Sequence, residues 1–307
     1  MTAIPGTTTP STAFVLGGGG HLGGYEAGML RALFEAGIVP DLVVGTSVGS
    51  IHGAIAAADP STGACLTLAD LWMEFVSQQV MHTSKVRSLT TLAHTGTHIA
   101  SNEALHRLLV DHLGEDRRIE DLPVRFECVA ASIERSAAQY FGAGPLVPAV
   151  MASCAVPVLW PAIEIDGQHY LDGGVVESIP VHRAYDLGAT EVYVLHVGRI
   201  ERPLNLPTTP WEVASVCFEI SRRHGFADAV ASVPEGVTVH VLPTGEDPTA
   251  PHHKEHVESM GAELDSVRRR IESGYQATRA YLAAPRPLTA QGSETRRLKA
   301  SVAAAGS

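Results

Sequence analysis

The sequence has few basic residues and few aromatic residues, and each shortage argues against a class of partner. Of its 307 residues, 22 are lysine or arginine and 33 are aspartate or glutamate, so the formal net charge is -11. A chain this acidic repels phosphate backbones and anionic lipid surfaces, which argues against nucleic-acid binding and against electrostatic membrane binding. Aromatic residues make up 6% of the chain and offer no stacking platform for single-stranded nucleic acid.

Cysteine is also scarce, and its spacing bears on the compartment. The four cysteines are far apart and form no Cys-x-x-Cys pair: Cys65, Cys128, Cys154 and Cys217. This pattern is typical of small buried side chains in a reducing compartment.

Long apolar segments are missing as well. The longest nearly apolar run, residues 147–163, is short of a membrane span and is interrupted by Pro148, Pro157 and Pro161. The first twelve residues are rich in threonine and proline, with neither a basic start nor an apolar stretch, so we expect no signal peptide. These observations favour a cytoplasmic protein.

Short apolar runs alternate with helical patterns along most of the chain. Strand-like runs occur at residues 13–16, 42–44, 125–131, 139–141, 192–197 and 237–242. Helical patterns occur at residues 24–36, 66–80, 102–113, 147–156, 212–232 and 262–283, the last of which we expect to pack across the sheet. The alternation predicts an α/β fold, a three-layer sandwich around a mostly parallel central sheet.

The length and local composition predict one domain with loose ends. We expect a flexible N-terminus at residues 1–11, a single α/β domain at residues 12–284 and a disordered tail at residues 285–307, where no periodic apolar positions remain. Residues 81–100 are rich in threonine, serine and histidine, which suggests a mobile excursion. Residues 163–171 predict a hairpin that turns at Asp-Gly.

The most informative segment is residues 41–56. A short apolar run ends there in Gly-x-Ser-x-Gly and a small-residue helical segment follows, which is the context of a nucleophile elbow with Ser47 as the nucleophile. Steric crowding explains why glycine occupies positions 45 and 49, because a turn this sharp brings the backbone on either side of the serine close together. The serine oxygen would lie at a helix N-terminus, where backbone dipoles favour developing negative charge.

A glycine-rich segment, residues 17–24, lies between the first strand and the first helix. Its backbone can approach a ligand closely, so Gly18, Gly19 and Gly20 are candidate oxyanion donors. The segment also fits the dinucleotide fingerprint Gly-x-Gly-x-x-Gly. Nucleotide binding is the weaker hypothesis, because residues 45–47 stand where the ribose-binding acid should follow the second strand.

A serine nucleophile needs a base, and the residues alone leave two kinds open. Among the 15 histidines, His196 and His240 lie in predicted strand ends and could complete a Ser-His-Asp triad. The alternative is Asp172, which leaves a short strand into a glycine pair and could point toward a neighbouring loop. On its pattern alone, Asp172 also fits an ordinary turn aspartate.

Three separated blocks of the chain resemble the patatin-like phospholipases, a family of serine acyl hydrolases. They are residues 16–30 with the glycine loop, residues 45–49 with the elbow, and residues 151–176, where Ala-Ser-Cys-Ala-Val-Pro is followed by Asp-Gly-Gly. The blocks appear in the family's order, and the resemblance covers roughly residues 12–198. It implies the patatin-like version of the α/β sandwich.

The resemblance also implies a mechanism. Ser47 is similar to the family's nucleophile and Asp172 to its base, in a dyad without histidine, and the backbone of Gly18, Gly19 and Gly20 corresponds to the oxyanion hole. Aspartate has a reference pKa near 3.9, so it can act as this base only if desolvation raises its basicity. We therefore predict a tight, dry contact between Ser47 and Asp172.

The resemblance implies a lipid-like ester as substrate, cleaved through an acyl-enzyme. We expect no metal and no cofactor, and any membrane contact to be peripheral. Two other functions stay open: an acyltransferase, in which another acceptor replaces water, and a non-catalytic lipid-binding or regulatory protein that retains the fold. The oligomeric state is not predicted.

Two positions depart from the family pattern. Leu22 stands where the family's glycine loop usually carries arginine or lysine, which removes a fixed positive charge from the loop. His52 stands where the family often has asparagine, and we interpret it as a helix histidine with local hydrogen bonds. A further histidine group, at residues 252–256, has no accompanying ligand residues and is interpreted as a solvated surface loop rather than a metal site.

Overall fold

The computed structural model describes residues 11–80, 85–197, 204–208, 210–246 and 260–292. Within this part of the chain, nine strands form a single sheet. The strands are β1 (Thr12–Leu16), β2 (Leu42–Thr46), β3 (Arg125–Ser132), β4 (Ala137–Phe141), β5 (Ile163–Ile165), β6 (Gln168–Asp172), β7 (Glu191–Leu195), β8 (Thr238–Val241) and β9 (Leu288–Thr289).

The helices alternate with these strands. They are α1 (Gly24–Glu35), α2 (Val48–Ala58), α3 (Thr62–Ser77), α4 (Lys85–Thr95), α5 (Glu103–Leu113), α6 (Leu146–Ser153), α7 (Val181–Asp186), α8 (Pro210–Ala231) and α9 (Met260–Ala283). The sequence pattern places α3 four residues too late, because the Ser61 hydroxyl accepts the Gly63 N–H and so caps an earlier start.

The sheet is parallel at its centre. The strands follow the order β5-β6-β3-β2-β1-β7-β8-β9, and β4 pairs with the other edge of β3. The pairings among β3, β2, β1, β7 and β8 are parallel. The pairings of β4, β5, β6 and β9 are antiparallel.

Alternate residues of the central strands face opposite sides of this sheet, and helices cover both. Phe14 and Leu16 of β1 belong to the core cluster that includes α1, α2, α3, α5 and α6. Ala13 and Val15 belong to a second cluster with residues of α7 and α8. Since each parallel strand must bury two faces, the apolar runs are continuous rather than alternating. The predicted three-layer α/β sandwich is confirmed.

The hairpin expected near residue 166 is present between β5 and β6. Asp166 has a φ of 51° and Gly167 a φ of 73°. A two-residue turn with both central residues at positive φ is the type that Asp-Gly favours, because its twist matches that of the strands.

Three expectations about the chain's organisation need correction. Residues 85–95 of the expected excursion form α4, since no glycine or proline interrupts them. The helix at residues 260–283 packs on α1 and α3 rather than across the sheet. Leu288 and Thr289, expected in the tail, form β9 because Leu288 is buried against the sheet. Residues 1–10, 81–84 and 293–307 lie outside the described residues.

Candidate active site

Ser47 occupies a sharp turn between β2 and α2. Its backbone has a φ of 54° and a ψ of -126°, a conformation that non-glycine residues rarely adopt. A Cβ atom added at Gly45 would lie 2.4 Å from the Gly49 carbonyl oxygen, and one added at Gly49 would lie 2.4 Å from the Leu16 carbonyl oxygen. Both contacts are shorter than atoms tolerate. The collision at Gly45 is within the turn, as the steric argument from the sequence predicts, whereas the collision at Gly49 is with β1, so it is the packing of the turn against β1 that requires glycine there.

The register of β3 brings Asp172 next to this turn. Val129 of β3 pairs with Thr46 at the end of β2, and the following residue, Ala130, pairs with Asp172 at the end of β6. One edge of β3 is taken by β4, which pairs with residues 128–132, so β2 and β6 must pair with successive parts of the other edge. Their C-terminal ends meet on that edge. Ser47 follows β2 directly, so two segments 125 residues apart in sequence (172 against 47) meet at one point.

Asp172 is held in a dry environment. Its side chain is 2% exposed, and its Oδ1 accepts the Gly174 N–H at 2.7 Å. Burial raises the pKa of Asp172 to about 6, while the Ser47 hydroxyl and the Gly174 N–H act in the opposite direction. A carboxylate with this pKa is a stronger base than a free aspartate and is still mostly ionised at neutral pH.

The contact between the Ser47 and Asp172 side chains is buried, but it is not a hydrogen bond of good geometry. Ser47 is 8% exposed, and its hydroxyl is close enough to Asp172 to lower the pKa of that carboxyl. Asp172 Oδ2 nevertheless has no partner in good hydrogen-bond geometry among the described residues. Catalytic hydrogen bonds are often long before substrate binds. The predicted dryness is therefore present, whereas the predicted tightness is not.

Two serines hold the backbone of Ser47 in its strained conformation. The Ser47 N–H donates to Ser153 Oγ at 2.9 Å, and the Ser50 hydroxyl donates to the Ser47 carbonyl oxygen at 2.6 Å. Ser153 is the last residue of α6 and is fully buried. The sequence pattern assigns no role to Ser153, whose signal in the sequence is its place in the third block of resemblance.

The glycine loop lies beside the serine. A Cβ atom added at Gly18 would lie 3.4 Å from Ser47 Cβ. The Gly18 N–H donates to the Ser178 carbonyl oxygen at 2.8 Å, so it is already used within the protein. The N–H groups of Gly19 and Gly20 make no hydrogen bond to any described residue.

Neither histidine considered as a triad base is placed to act on Ser47. His240 lies on β8, three strands from β2 and therefore about 14 Å away. Its ring stacks on Tyr193 and contacts the Tyr281 hydroxyl. His196 follows β7, two strands from β2, and packs against Phe226. Burial lowers the pKa of His196 to about 4.

Comparison with known proteins finds a match over the segment that contains Ser47 and Asp172. The family model described as patatin-like phospholipase matches residues 14–185, more than half of the chain. The chain belongs to the patatin-like phospholipase family. The resemblance seen in the sequence is thereby confirmed.

Named relatives match over a similar segment. Patatin-like phospholipase domain-containing protein ZK370.4 of Caenorhabditis elegans is 34% identical over 196 residues, which are 63% of this chain and 14% of that protein. Patatin-like phospholipase domain-containing protein 7 of Rattus norvegicus is 32% identical over 62% of this chain and 14% of its own length. Lysophospholipase nte1 of Aspergillus niger is 32% identical over 62% of this chain and 12% of its own length. The matched segment is thus a small part of each relative.

One solved structure also matches over most of the chain. VipD from Legionella pneumophila aligns with a TM-score of 0.44 and 14% identity, covering 92% of this chain and 68% of that chain.

A buried polar network lies behind the elbow of this family member. His52 Nδ1 lies 2.8 Å from Glu26 Oε2, and the Trp72 indole N–H donates to His52 Nε2 at 3.1 Å. Burial lowers the pKa of His52 to about 3 and raises the pKa of Glu26 well above its usual range. An indole nitrogen can only donate, so the neutral His52 carries its proton on Nδ1 and donates it to Glu26. His52 is therefore a helix histidine with partners for both ring nitrogens, as predicted. The expectation of local hydrogen bonds is wrong, because the partners lie on α1 and α3, 26 and 20 residues away.

The remaining departure from the family pattern, Leu22, concerns charge. Leu22 is partly buried and packs against the main core cluster, so an apolar contact replaces the loop's usual cation.

The described residues contain no cluster of three or more histidine, cysteine or acidic side chains that could hold a metal ion, and the histidines at 252–256 lie outside them. None of the helices in the described part combines the length and apolar character needed to cross a bilayer.

Proposed function

We propose that this protein is a serine acyl hydrolase that cleaves carboxylic esters of lipids through a Ser47–Asp172 dyad and an acyl-enzyme. The observation that carries the proposal is the meeting of β2 and β6 on one edge of β3, which puts a strained serine beside a buried aspartate of raised pKa. The names of the family and of the Aspergillus relative, a lysophospholipase, support a lipid ester as substrate.

The first half-reaction forms the acyl-enzyme. Asp172 accepts the Ser47 hydroxyl proton as the serine oxygen attacks the ester carbonyl carbon, and the carbonyl oxygen becomes negatively charged. The tetrahedral intermediate then breaks its bond to the alcohol, which leaves with the proton held by Asp172. In the second half-reaction, water gives a proton to Asp172 as its oxygen attacks the acyl carbon. The bond between that carbon and the Ser47 oxygen then breaks, Asp172 passes the proton to the serine oxygen, and the fatty acid leaves.

The oxyanion needs donors that are not already used. The N–H groups of Gly19 and Gly20 meet this condition among the described residues, whereas the Gly18 N–H is bonded to Ser178. We therefore assign the oxyanion to Gly19 and Gly20, and we assign Gly18 the role of fixing the loop. The helix α2 begins directly after Ser47, so its N-terminal dipole favours the same negative charge.

Covalent labelling tests the proposal. A fluorophosphonate should label the wild-type protein and leave Ser47→Ala unlabelled, since the reagent reports an activated serine. Hydrolysis of a series of lysophospholipids, phospholipids and neutral glycerides of increasing acyl length should then reveal the substrate. A folded wild-type protein that neither takes the label nor hydrolyses any ester of the series would contradict the proposal and favour a non-catalytic lipid-binding role.

Any contact with a bilayer is proposed to be peripheral. The formal net charge of -11 predicts that vesicle binding does not increase with the anionic lipid fraction. Sedimentation with neutral vesicles and with vesicles rich in phosphatidylserine measures this directly.

A further inference from the structure

The glycine loop of this chain lacks a cation at position 22, but a cation reaches the loop from another part of the fold. Arg270 of α9 is 7% exposed, and its Nη1 donates to the His21 carbonyl oxygen at 3.1 Å. His21 is the second residue of the 3-10 turn at Gly20–Gly23, which begins at one of the two assigned oxyanion donors.

A chain of peptide groups connects this guanidinium to one of those donors. The peptide that carries the His21 carbonyl also carries the Leu22 N–H, which donates to the Gly19 carbonyl oxygen at 3.2 Å. The peptide that carries the Gly19 carbonyl carries the Gly20 N–H. Hydrogen bonds in such a chain polarise one another, so a cation at one end strengthens the donor at the other end.

The approach of α9 to the loop depends on glycine contacts with α1. A Cβ atom added at Gly28 would lie 2.0 Å from the Ile271 carbonyl oxygen, and one added at Gly274 would lie 2.3 Å from the Tyr25 carbonyl oxygen. A side chain at either position would force the helices apart. The close packing of the two helices therefore sets how near Arg270 comes to His21.

We propose that Arg270 is a positioning residue for the oxyanion loop, supplying from α9 the positive charge that the family's loop usually carries at the position of Leu22. It orients the His21–Leu22 and Gly19–Gly20 peptides and polarises the Gly20 N–H toward the oxyanion. This role rests on the proposed function, because it concerns the same reaction. It also gives the C-terminal helix, which lies outside the segment matched by the family model, a part in that reaction.

Three variants test the role of Arg270. Arg270→Met removes the charge while keeping much of the side-chain volume, and Arg270→Lys keeps the charge but loses the planar guanidinium. Arg268→Met is the matched control, since Arg268 lies on the same helix, is exposed and pairs with Asp265. Each protein is assayed for kcat and KM on one soluble ester and for the rate and end-point of fluorophosphonate labelling.

We expect Arg270→Met to lower kcat and the labelling rate by about tenfold to a hundredfold, less than the roughly 10²- to 10³-fold cost of deleting an oxyanion donor outright. KM should stay unchanged, because the donor acts mainly on the transition state. The labelling end-point per mole of folded protein should also stay at the wild-type value. Arg270→Lys should fall between Arg270→Met and the wild type, and Arg268→Met should match the wild type.

A purely structural role would produce a different pattern. It would lower the labelling end-point together with the thermal midpoint and leave the rate of the remaining folded molecules unchanged. Either that pattern or a wild-type labelling rate in Arg270→Met would overturn the inference. An equal loss of rate in Arg268→Met would overturn it too, and none of these results would contradict the hydrolase proposal. A wild-type protein without labelling or hydrolysis would instead overturn the proposed function, and this inference with it.

Discussion

Two buried polar groups lie near the start of α2, and they are built in opposite ways. Ser47 precedes the helix in a strained conformation, and its partner Asp172 has one carboxylate oxygen without a hydrogen bond in good geometry among the described residues. His52 lies one turn into the helix in regular backbone, and both of its ring nitrogens have partners, Glu26 and Trp72. Both groups are desolvated, but only the histidine is matched by good hydrogen bonds on each side.

The difference shows how burial can serve either reactivity or structure. Burial without full compensation raises the pKa of Asp172 to about 6 and leaves this carboxyl group beside the serine that we propose as the nucleophile. Burial keeps His52 neutral, and its hydrogen bonds to Glu26 and Trp72 connect α2 to α1 and α3 behind the elbow. The Glu26–His52–Trp72 group is not fully satisfied, because Glu26 Oε1 has no partner among the described residues. Its side chains nevertheless have no access to the solvent, so we expect it to influence stability more than chemistry.

The largest expected effect on activity at either of these two groups is that of Ser47→Ala. Removing the nucleophile should lower kcat by at least about 10⁴-fold, because no other group can form the acyl-enzyme. The fold should persist, since the elbow is set by its glycines. Ester hydrolysis and circular dichroism measure the two effects, and a variant that retains more than a hundredth of wild-type activity would contradict the assignment.

Asp172→Asn should separate activity from stability. We expect kcat to fall by about 10²- to 10⁴-fold, because the amide cannot accept the serine proton. Since burial raises the pKa of Asp172 from 3.8 to about 6, the ionised carboxylate is held in the folded protein at a cost of up to about 3 kcal/mol above pH 6. The variant should therefore unfold at a higher urea concentration than the wild type at pH 8.

The sign of this stability effect can be checked against pH. A carboxyl whose pKa is raised by folding favours the folded state below its unfolded pKa and loses that advantage as the pH rises through about 6. The advantage of Asp172→Asn should thus be largest at pH 8 and small near pH 4. Nearly full activity in this variant would contradict the assignment of Asp172 as the base.

His52→Leu should act mainly on stability. It removes two buried hydrogen bonds and leaves Glu26 and the Trp72 N–H without their partner, so we expect a loss of about 2 to 4 kcal/mol in the free energy of unfolding. The labelling rate per folded molecule should change less than tenfold. Urea denaturation and labelling together measure both, and a large loss of rate with unchanged stability would mean that this network belongs to the chemistry.

The pH dependence of the wild type sharpens the role of Asp172. The carboxylate must be ionised to accept the serine proton, so kcat/KM should rise through an inflection near pH 6 and fall about tenfold for each pH unit below it. Rates measured from pH 4.5 to 8.5 test this. A profile that is flat between pH 5 and 8 would exclude a base with the raised pKa of Asp172.

The smallest expected effect is that of Trp72→Phe. The change removes one donor to His52 Nε2 and keeps most of the aromatic volume, so the protein should lose about 1 kcal/mol of stability. Its hydrolytic rate should equal that of the wild type. A loss as large as that of His52→Leu would show that the indole N–H, rather than the Glu26 contact, dominates the network.

The elbow and the layer order were predictable because their signals are local. Gly45 and Gly49 flank Ser47 within five residues. A Cβ atom at Gly45 would collide with the backbone of Gly49 in the same turn, whereas one at Gly49 would collide with Leu16 of β1. The apolar runs of β1 and β2 likewise show burial on both faces. The helix α4 and the strand β9 were missed, because a polar amphipathic helix and a two-residue strand leave weak patterns.

By itself, the sequence determined the sharp turn at Ser47 and the parallel sheet that carries it, since steric exclusion and hydrophobic periodicity act over a few residues. Only the tertiary structure decided which groups surround Ser47. The register of β3 brings Asp172 to the serine, and the packing of α9 on α1 brings Arg270 to the glycine loop. These contacts join residues more than a hundred positions apart, and strand register and helix packing, which no local pattern encodes, set their distances.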